Sequence, residues 1–163
     1  MRICGIDPGL NGGIALYNEK MSVVDAIRTP VYQLKKGKQS TKIMDMYSIC
    51  KILNKFDPDH IFIEQQQAFP KQGVISTFKT GVGYGMYLGL MSVSGYAHTI
   101  VPPKTWKKKL GVGSDKDDAR KRASELMPYA RDLWQKKCED GLAEAAMIAY
   151  YGVHESHVNV YLN

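Results

Sequence analysis

The chain has 163 residues and a net charge of +6, with 44% hydrophobic and 23% charged residues. These values are typical of one globular domain over residues 1–163, and they exclude disorder. No apolar run reaches the roughly 18 residues of a transmembrane helix. Residues 1–9 lack the basic and long apolar regions of a signal peptide, so we expect the protein to stay in the cytoplasm of the cell that makes it.

The chain opens with three predicted strands. Arg2–Ile6 is an apolar strand pattern that ends at Asp7, and turn residues separate it from strands over 14–17 and 22–28. Short turns between successive strands predict an antiparallel meander.

A loop, a helix and a fourth strand follow. The polar and basic stretch 29–41 predicts an irregular loop, and apolar residues at helical spacing predict a helix over 42–55. A short apolar strand over 60–63 then ends in Glu64. Because a helix separates this strand from the meander, we expect it to join the sheet in the parallel direction.

The second half alternates helices with one further strand. Pro102 and Pro103 interrupt its pattern, and Ser114 is a plausible cap for the helix that follows. The predicted elements are a helix over 72–94, a strand over 98–101 and helices over 115–127 and 140–151. The chain therefore predicts an α/β domain with a mixed sheet.

Two acidic residues stand at the ends of apolar strands, Asp7 after the first strand and Glu64 after the fourth. Open α/β sheets bind ligands in the crevice beyond the carboxyl ends of their strands. Adjacent strands lie about 5 Å apart, so the two carboxylates are predicted to face each other. Each residue alone is explained equally well as a loop or cap acid; the pair at matching strand ends favours a functional site.

A second acidic pair lies on the last predicted helix. Asp140 and Glu144 are four residues apart, which places them on one helix face, where like charges destabilise a helix unless a cation binds them. A solvated acidic face beside Lys136 and Lys137 is the alternative. The following residues, 145–149, are small or apolar and suit packing on the sheet, which would hold the acidic turn near the strand ends.

Carboxylates without histidine or thiol partners are the ligands that Mg²⁺ and Mn²⁺ prefer. Two such ions about 3.5–4 Å apart stabilise both the attacking and the leaving oxygen in phosphodiester hydrolysis. We therefore predict four catalytic residues that are also metal ligands: Asp7, Glu64, Asp140 and Glu144.

Cations cluster in two stretches. Residues 102–122 contain eight lysines and arginines and three aspartates, a net charge of +5, and a second cluster consists of Lys35, Lys36, Lys38 and Lys42. A solvated lysine-rich surface is the simpler explanation. Two basic clusters combined with a carboxylate site favour a nucleic-acid partner.

Three segments, in this order and spacing, resemble the RuvC-type Holliday-junction resolvases: ICGIDPGLNGGIAL, IFIEQQQ and DGLAEAAMIAYYG. The resemblance covers nearly the whole chain and is closest to the short phage and related forms. It implies a ribonuclease H-like fold, a five-stranded mixed β-sheet flanked by α-helices. It also implies a homodimer that resolves four-way and other branched DNA by paired symmetrical nicks, with Mg²⁺ as cofactor and Mn²⁺ able to substitute. The family's first two catalytic acids fall on Asp7 and Glu64.

The third segment departs from the bacterial pattern, in which two aspartates stand three residues apart before small and apolar residues. Matching the stretch 144–149 to that tail makes Glu144 the last ligand and leaves Asp140 one position too far away. Matching 140–143 instead makes Asp140 the last ligand and puts Lys137 in place of the other acid. Both acids stay candidates, and Glu139 is an outside candidate about 100° away around the helix.

The resemblance also implies DNA contacts. Lys107 and Lys116 resemble the family's DNA-contacting lysines, and Phe69 lies where the family places an aromatic that stacks at the junction centre. The basic segment adds Lys108 and Arg120 as DNA-binding candidates. A core position is the alternative for Phe69, although its polar and turn-forming neighbours favour exposure.

Two other functions were weighed against a nuclease. The first is a non-catalytic protein that binds branched DNA, and the four acids argue against it. The second is a phosphotransferase of the actin-like class that uses residues 7–9 for a nucleotide. A chain of 163 residues is too short for its two domains, and it has no second Asp-x-Gly segment.

Overall fold

The computed structural model describes residues 1–20, 23–37, 39–113 and 115–154, without the side chains of Val23, Lys36, Gln39 and Lys116. Within these residues the strands are β1 (Arg2–Asp7), β2 (Gly13–Asn18), β3 (Val23–Arg28), β4 (Val31–Lys36), β5 (Gln39–Met44), β6 (His60–Glu64) and β7 (His98–Val101). The helices are α1 (Met46–Phe56), α2 (Val74–Ser94), α3 (Pro103–Leu110), α4 (Lys116–Leu126) and α5 (Asp140–His154), and 3-10 turns cover Pro128–Trp134 and Lys137–Glu139. None of the helices described is both long enough and apolar enough to cross a membrane.

Five strands form one mixed sheet in the order β3-β2-β1-β6-β7. Strands β1, β2 and β3 are antiparallel neighbours, whereas β6 is parallel to β1 and β7 is parallel to β6. The predicted meander, the parallel addition and the five-stranded mixed sheet are confirmed. Because β1 and β6 run in the same direction, their carboxyl ends meet at one edge of the sheet.

Both faces of the sheet are covered by helices. Successive side chains of a strand point to opposite faces, and the central strands are apolar on both. On one face Ile3 and Phe62 pack under α3, α4 and α5; on the other, Cys4, Ile6 and Ile61 pack under α1 and α2. The same alternation directs Asp7 and Glu64 toward the α5 layer.

Helix α5 lies directly on β1 because Gly5 has no side chain. A Cβ atom at this position would collide with the Ala145 carbonyl oxygen and lie 3.1 Å from the Ala149 Cα atom. Ala145 and Ala149 are both fully buried. The predicted packing of residues 145–149 on the sheet is confirmed, and it places the start of α5 beside the end of β1.

The prediction of an irregular loop over 29–41 was wrong. Strands β4 and β5 form an antiparallel hairpin separate from the five-stranded sheet, and α1 begins only at Met46, after the cap residue Asp45. The many lysines of this stretch favoured a loop prediction although β-forming residues lie between them. Gly37, with a φ of 60°, lies in the turn of the hairpin. Lys38 lies outside the described residues.

The prolines at 102 and 103 begin a helix that the sequence analysis missed. Proline fits the first turn of a helix, where its absent N–H has no partner to lose, and α3 starts at Pro103. Helix α4 is present as predicted, but Asp115 is its N-cap and forms a capping box with Asp118. The proposed cap, Ser114, lies outside the described residues.

Candidate active site

The register of the central strands brings Asp7 and Glu64 to the same edge and the same face of the sheet. Ile6 pairs with Ile63 in the parallel ladder, and Asp7 and Glu64 are the next residue of each strand. Glu64 is 6% exposed, and Asp7 is half-buried. The strand-end arrangement that the sequence predicts is therefore present.

Glu64 is held in place by two side chains. The Trp106 indole Nε1–H donates to Oε1 at 3.0 Å, and the Gln66 amide donates to Oε2 at 3.0 Å. Burial and the charge of Glu144 raise the pKa of Glu64 above its ordinary value, although Lys107 and these two hydrogen bonds work in the other direction. The carboxylate is thus oriented by its partners, but its charged form lacks full compensation.

Glu144 contributes a third carboxylate from the first turns of α5. Its Oε1 lies 2.8 Å from the Lys107 ammonium, and both side chains are partly buried. Burial lowers the pKa of Lys107, whereas the charges of Glu144, Glu64 and Asp7 raise it. Their combined effect is larger, so the net shift is upward. Lys107 therefore stays protonated inside a group of carboxylates, which we call the acidic site: Asp7, Glu64, Glu144 and Lys107.

Asp7 is the most strongly perturbed member of this site. Its pKa is raised well above the usual range, first by burial and then by the charges of Glu144 and Glu64, while Lys107 acts in the opposite direction. A cation near such carboxylates favours their charged form. A cleft of about 460 Å³ opens here, and Asp7, Gln66, Lys79, Asp140 and Glu144 are among its lining residues. We call it the acidic cleft.

Asp140 lies on the rim of the acidic cleft, apart from the acidic site. Its Oδ1 is 2.7 Å from the Nε of Arg120, which also pairs with Asp117 and donates to the Gln135 carbonyl oxygen at 3.0 Å. Asp140 and Glu144, one helical turn apart, thus have different cationic partners. The structure brings Asp7, Glu64 and Glu144 together and leaves Asp140 at the edge. Glu139, the outside candidate, pairs with Arg28 at 3.1 Å.

The departure from the bacterial spacing has a steric cause. The position three residues before Glu144 is Gly141, where a Cβ atom would overlap the Asn11 carbonyl oxygen and lie 2.6 Å from the Gly12 Cα atom. The turn after β1 therefore lies too close to α5 for any side chain at this position. An acid can occupy position 140 at the rim but not position 141.

The DNA-binding candidates belong to separate segments of the chain. Phe69 is 58% exposed, as its neighbours indicate, in the segment between β6 and α2. Lys108 is exposed on α3, one residue beyond Lys107 of the acidic site, and Arg120 is engaged with Asp140. The side chain of Lys116 lies outside the described part of the chain. Whether these residues contact DNA stays a prediction.

Sequence reasoning missed Trp106 and Gln66, the two partners of Glu64. Trp106 is fully buried and belongs to α3, the helix that was not predicted because two prolines precede and begin it. A signal was available, because Trp106 and Leu110 have helical spacing directly after a proline that fits a first helical turn. Gln66 carries no comparable signal, since glutamine is a common surface residue.

The acids of the site suit a hard divalent cation in their chemistry. In the described parts of the chain, no three His, Cys, Asp or Glu side chains stand in positions to hold a metal ion together. The contacts explain this, since Glu144 is turned onto Lys107 and Glu64 is bound by Trp106 and Gln66. Carboxylate oxygens are nevertheless the donors that Mg²⁺ and Mn²⁺ prefer.

Solved structures with a similar fold are Holliday junction resolvases. RuvC of Thermus thermophilus in complex with a Holliday junction substrate matches with a TM-score of 0.57 and 17% identity, over 93% of this chain and 95% of that one. The yeast mitochondrial resolvase Ydc2 matches with a TM-score of 0.55 and 19% identity, over 91% and 75%. The fowlpox virus resolvase matches with a TM-score of 0.50 and 18% identity, over 93% and 98%.

No family model matches the sequence, and no curated protein matches it. At these identities the structural likeness concerns the fold. It confirms the ribonuclease H-like fold and, at that level, the resemblance to RuvC-type resolvases that the three sequence segments indicate.

Proposed function

We propose that this protein is a metal-dependent endonuclease that resolves Holliday junctions, and other branched DNA, by paired symmetrical nicks. The observation that carries the proposal is the acidic site, in which Asp7, Glu64 and Glu144 surround Lys107 at the strand ends of a ribonuclease H-like sheet. The similar solved proteins are Holliday junction resolvases by name, and the basic segments of this chain suit a polyanionic substrate.

Each residue of the site has a distinct part in this proposal. Asp7, Glu64 and Glu144 would hold Mg²⁺, or Mn²⁺ in its place, and Asp140 joins them only after release from Arg120. When bound, a pair of these ions supplies activation of the attacking water and stabilisation of the leaving 3′ oxygen. Trp106 and Gln66 keep the Glu64 carboxylate in a single orientation. The Lys107 ammonium, once separated from Glu144, would be available to contact the scissile phosphate.

The test of this function is a panel of labelled substrates incubated with Mg²⁺: four-way, three-way, flap and linear duplex DNA, each mapped for nick positions. We expect nicks at symmetrical positions in the four-way junction, weaker cleavage of the other branched forms and none of the linear duplex. Tight binding to the junction without nicks would refute the nuclease and leave the non-catalytic branched-DNA-binding protein as the function.

Lys107 and the metal are expected to compete for the same carboxylates. Replacing Lys107 by methionine removes a positive charge 2.8 Å from Glu144 and leaves the acids uncompensated. We expect Lys107→Met to bind Mn²⁺ roughly five- to tenfold more tightly than the wild type, because a partly buried like charge no longer opposes the ion. Isothermal titration calorimetry without DNA measures this directly.

Lys108→Met is the matched control, since it removes the same charge from the next residue of α3, which is exposed. It is expected to leave the affinity for Mn²⁺ within about twofold of the wild type, because exposed charges are screened by water and salt. Weaker Mn²⁺ binding by Lys107→Met would show that the lysine supports the ion rather than competing with it.

A homodimer is part of the proposal, because paired nicks need two active sites on one junction. Helix α2 presents a face of apolar side chains to solvent, with Val74, Ile75 and Phe78 between 71% and 85% exposed and Val82 at 46%. A contiguous exposed apolar patch is characteristic of an interaction surface. On the same face, a side chain added at Gly85 would meet nothing within 4 Å, which allows a second helix to approach closely.

Phe78→Asp is expected to convert the dimer into a monomer, because it places a charge in the centre of this apolar face. Analytical ultracentrifugation reports the oligomeric state. On a supercoiled plasmid that extrudes a cruciform, paired nicks linearise the circle, whereas independent nicks leave an open circle. We expect the variant to shift the product from linear to open circular DNA by roughly tenfold.

Tyr47→Asp is the control, since Tyr47 is 70% exposed on α1 and outside the α2 face. It is expected to keep the wild-type oligomeric state and product ratio. If Phe78→Asp stays dimeric and still linearises the plasmid, the α2 face is not the interface.

A further inference from the structure

A second cleft adjoins the acidic cleft. It has a volume of about 510 Å³. Both clefts are lined by Leu10, Asn11, Gly12, Asp140 and Gly141. The two clefts therefore adjoin where the turn after β1 packs on the start of α5, and we call them together the groove; the acidic site lies on one side of this contact.

Cations line the second cleft from three separate segments of the chain. Arg28 lies at the end of β3, Lys42 on β5 of the hairpin, and Lys137 in the 3-10 turn before α5. The hairpin stands apart from the main sheet, and it brings Lys42 to the groove from a position that an irregular loop would not define. Three segments that place positive charge in one depression make a surface suited to a polyanion.

The acids near this cleft already have partners. Glu139 pairs with Arg28 at 3.1 Å, and Asp140 pairs with Arg120 at 2.7 Å. Lys42 and Lys137 are exposed, and in the residues that the structure covers neither ammonium has a carboxylate within 4 Å. These two lysines are therefore available to an incoming anion at no cost in broken ion pairs.

We propose that the second cleft binds the sugar–phosphate backbone of the DNA strand next to the scissile phosphate, with Lys42 and Lys137 contacting its phosphates. A strand whose scissile phosphate lies at the acidic site can pass from the acidic cleft to the second cleft, which adjoins it and is lined by cations. The inference rests on the proposed nuclease function and adds to it a binding path on the hairpin side of α5.

The first test is the salt dependence of binding to a four-way junction in EDTA, where no cleavage occurs. Each lysine–phosphate contact contributes about 0.9 to the slope of log K against log salt concentration for duplex DNA. The double variant Lys42→Ala with Lys137→Ala is expected to lower that slope by roughly 1.5–2 and to weaken binding at low salt by about tenfold or more.

The matched control is Lys20→Ala with Lys55→Ala, which removes the same net charge. Both lysines are exposed. Lys20 follows β2 and Lys55 lies in the last turn of α1, both near the end of β1 opposite Asp7. This control is expected to leave the slope within about 0.5 of the wild-type value. An equal fall in both double variants would indicate net charge alone and overturn the inference.

The second test places single uncharged methylphosphonates along the strand around the mapped nick. The wild type should lose affinity when the neutral linkage lies within a few nucleotides of the nick on one side. The same linkages should not weaken binding by the Lys42/Lys137 variant, because its contacts to those phosphates are already removed. Sensitivity that persists in the variant would overturn the inference. If the wild type nicks no branched DNA, the proposed function has failed; if it nicks normally while the slope of the Lys42/Lys137 variant is unchanged, only the second cleft has failed.

Discussion

Asp7→Asn and Glu64→Gln are each expected to reduce cleavage of a four-way junction by about 10³-fold or more while changing junction affinity by less than about threefold. Single replacements of catalytic groups have effects of this size or larger. Both carboxylates lie at the strand ends, where the charge of Glu64 raises the pKa of Asp7 and the charges of both acids raise the pKa of Lys107. The lysines of the two basic segments remain unchanged, so binding is retained.

Single-turnover cleavage and filter binding measure the two effects separately. Tyr47→Phe, a change on the exposed face of α1, is the control for differences between protein preparations. It should bind and cleave the junction as the wild type does. Cleavage by Asp7→Asn at more than about a tenth of the wild-type rate would remove Asp7 from the active site. Loss of binding and cleavage together would point to a folding defect, which thermal unfolding detects.

Unfolding also offers an independent check on Asp7. Its pKa is higher in the folded protein than in an unfolded chain, so the folded state binds the proton more tightly and the charged form opposes folding. This penalty is present at neutral pH and disappears as the pH falls below the ordinary range of an aspartate. Without metal, Asp7→Asn should therefore unfold at a higher temperature than the wild type at pH 7, and this advantage should vanish in acid.

Gly141→Ala is expected to destabilise the protein by about 1–3 kcal/mol, the usual cost of forcing a methyl group into a filled space. The added methyl would overlap the Asn11 carbonyl oxygen, so the first turn of α5 has to move away from the turn after β1. That movement displaces Glu144 from Asp7. A misplacement of about 1 Å at an active site can cost about 10²-fold in rate, and we expect a loss of that order.

Thermal unfolding and single-turnover cleavage test this pair of effects. Gly73→Ala is the matched control, because a methyl group there meets nothing within 4 Å and its φ of −62°, at the N-cap of α2, suits alanine. It should change the stability by less than about 1 kcal/mol and leave the rate unchanged. A Gly141→Ala protein as stable and as active as the wild type would contradict the close approach of α5.

The strand-end acids were predictable because they depend on local patterns. An apolar strand that ends in Asp7, and another that ends in Glu64, can be recognised without knowledge of the fold. Their arrangement then requires only that the two strands be parallel neighbours in register, which the intervening helix already indicates. The two apolar faces of the central strands follow from side-chain alternation, whereas the order of the strands was not predicted.

The cationic partners were not predictable in this way. Lys107 and Arg120 belong to one basic segment, yet the first pairs with Glu144 and the second with Asp140. Their sequence separation from α5 carries no information on which ammonium or guanidinium meets which acid. The choice between Asp140 and Glu144, left open by two alignments, depends on these contacts and on the absence of space at Gly141.

The sequence by itself determined the sheet, the strand-end carboxylates and the small-residue face of α5, because side-chain alternation and helical spacing act over a few residues. Only the tertiary structure decided the rest: that Glu144 joins Asp7 and Glu64, that Lys107 stands among them, and that a hairpin carries Lys42 to a second cleft. These features arise where segments distant in the chain come into contact, and such contacts depend on how closely the packed elements approach. At Gly5 and Gly141 that distance is set by a missing side chain.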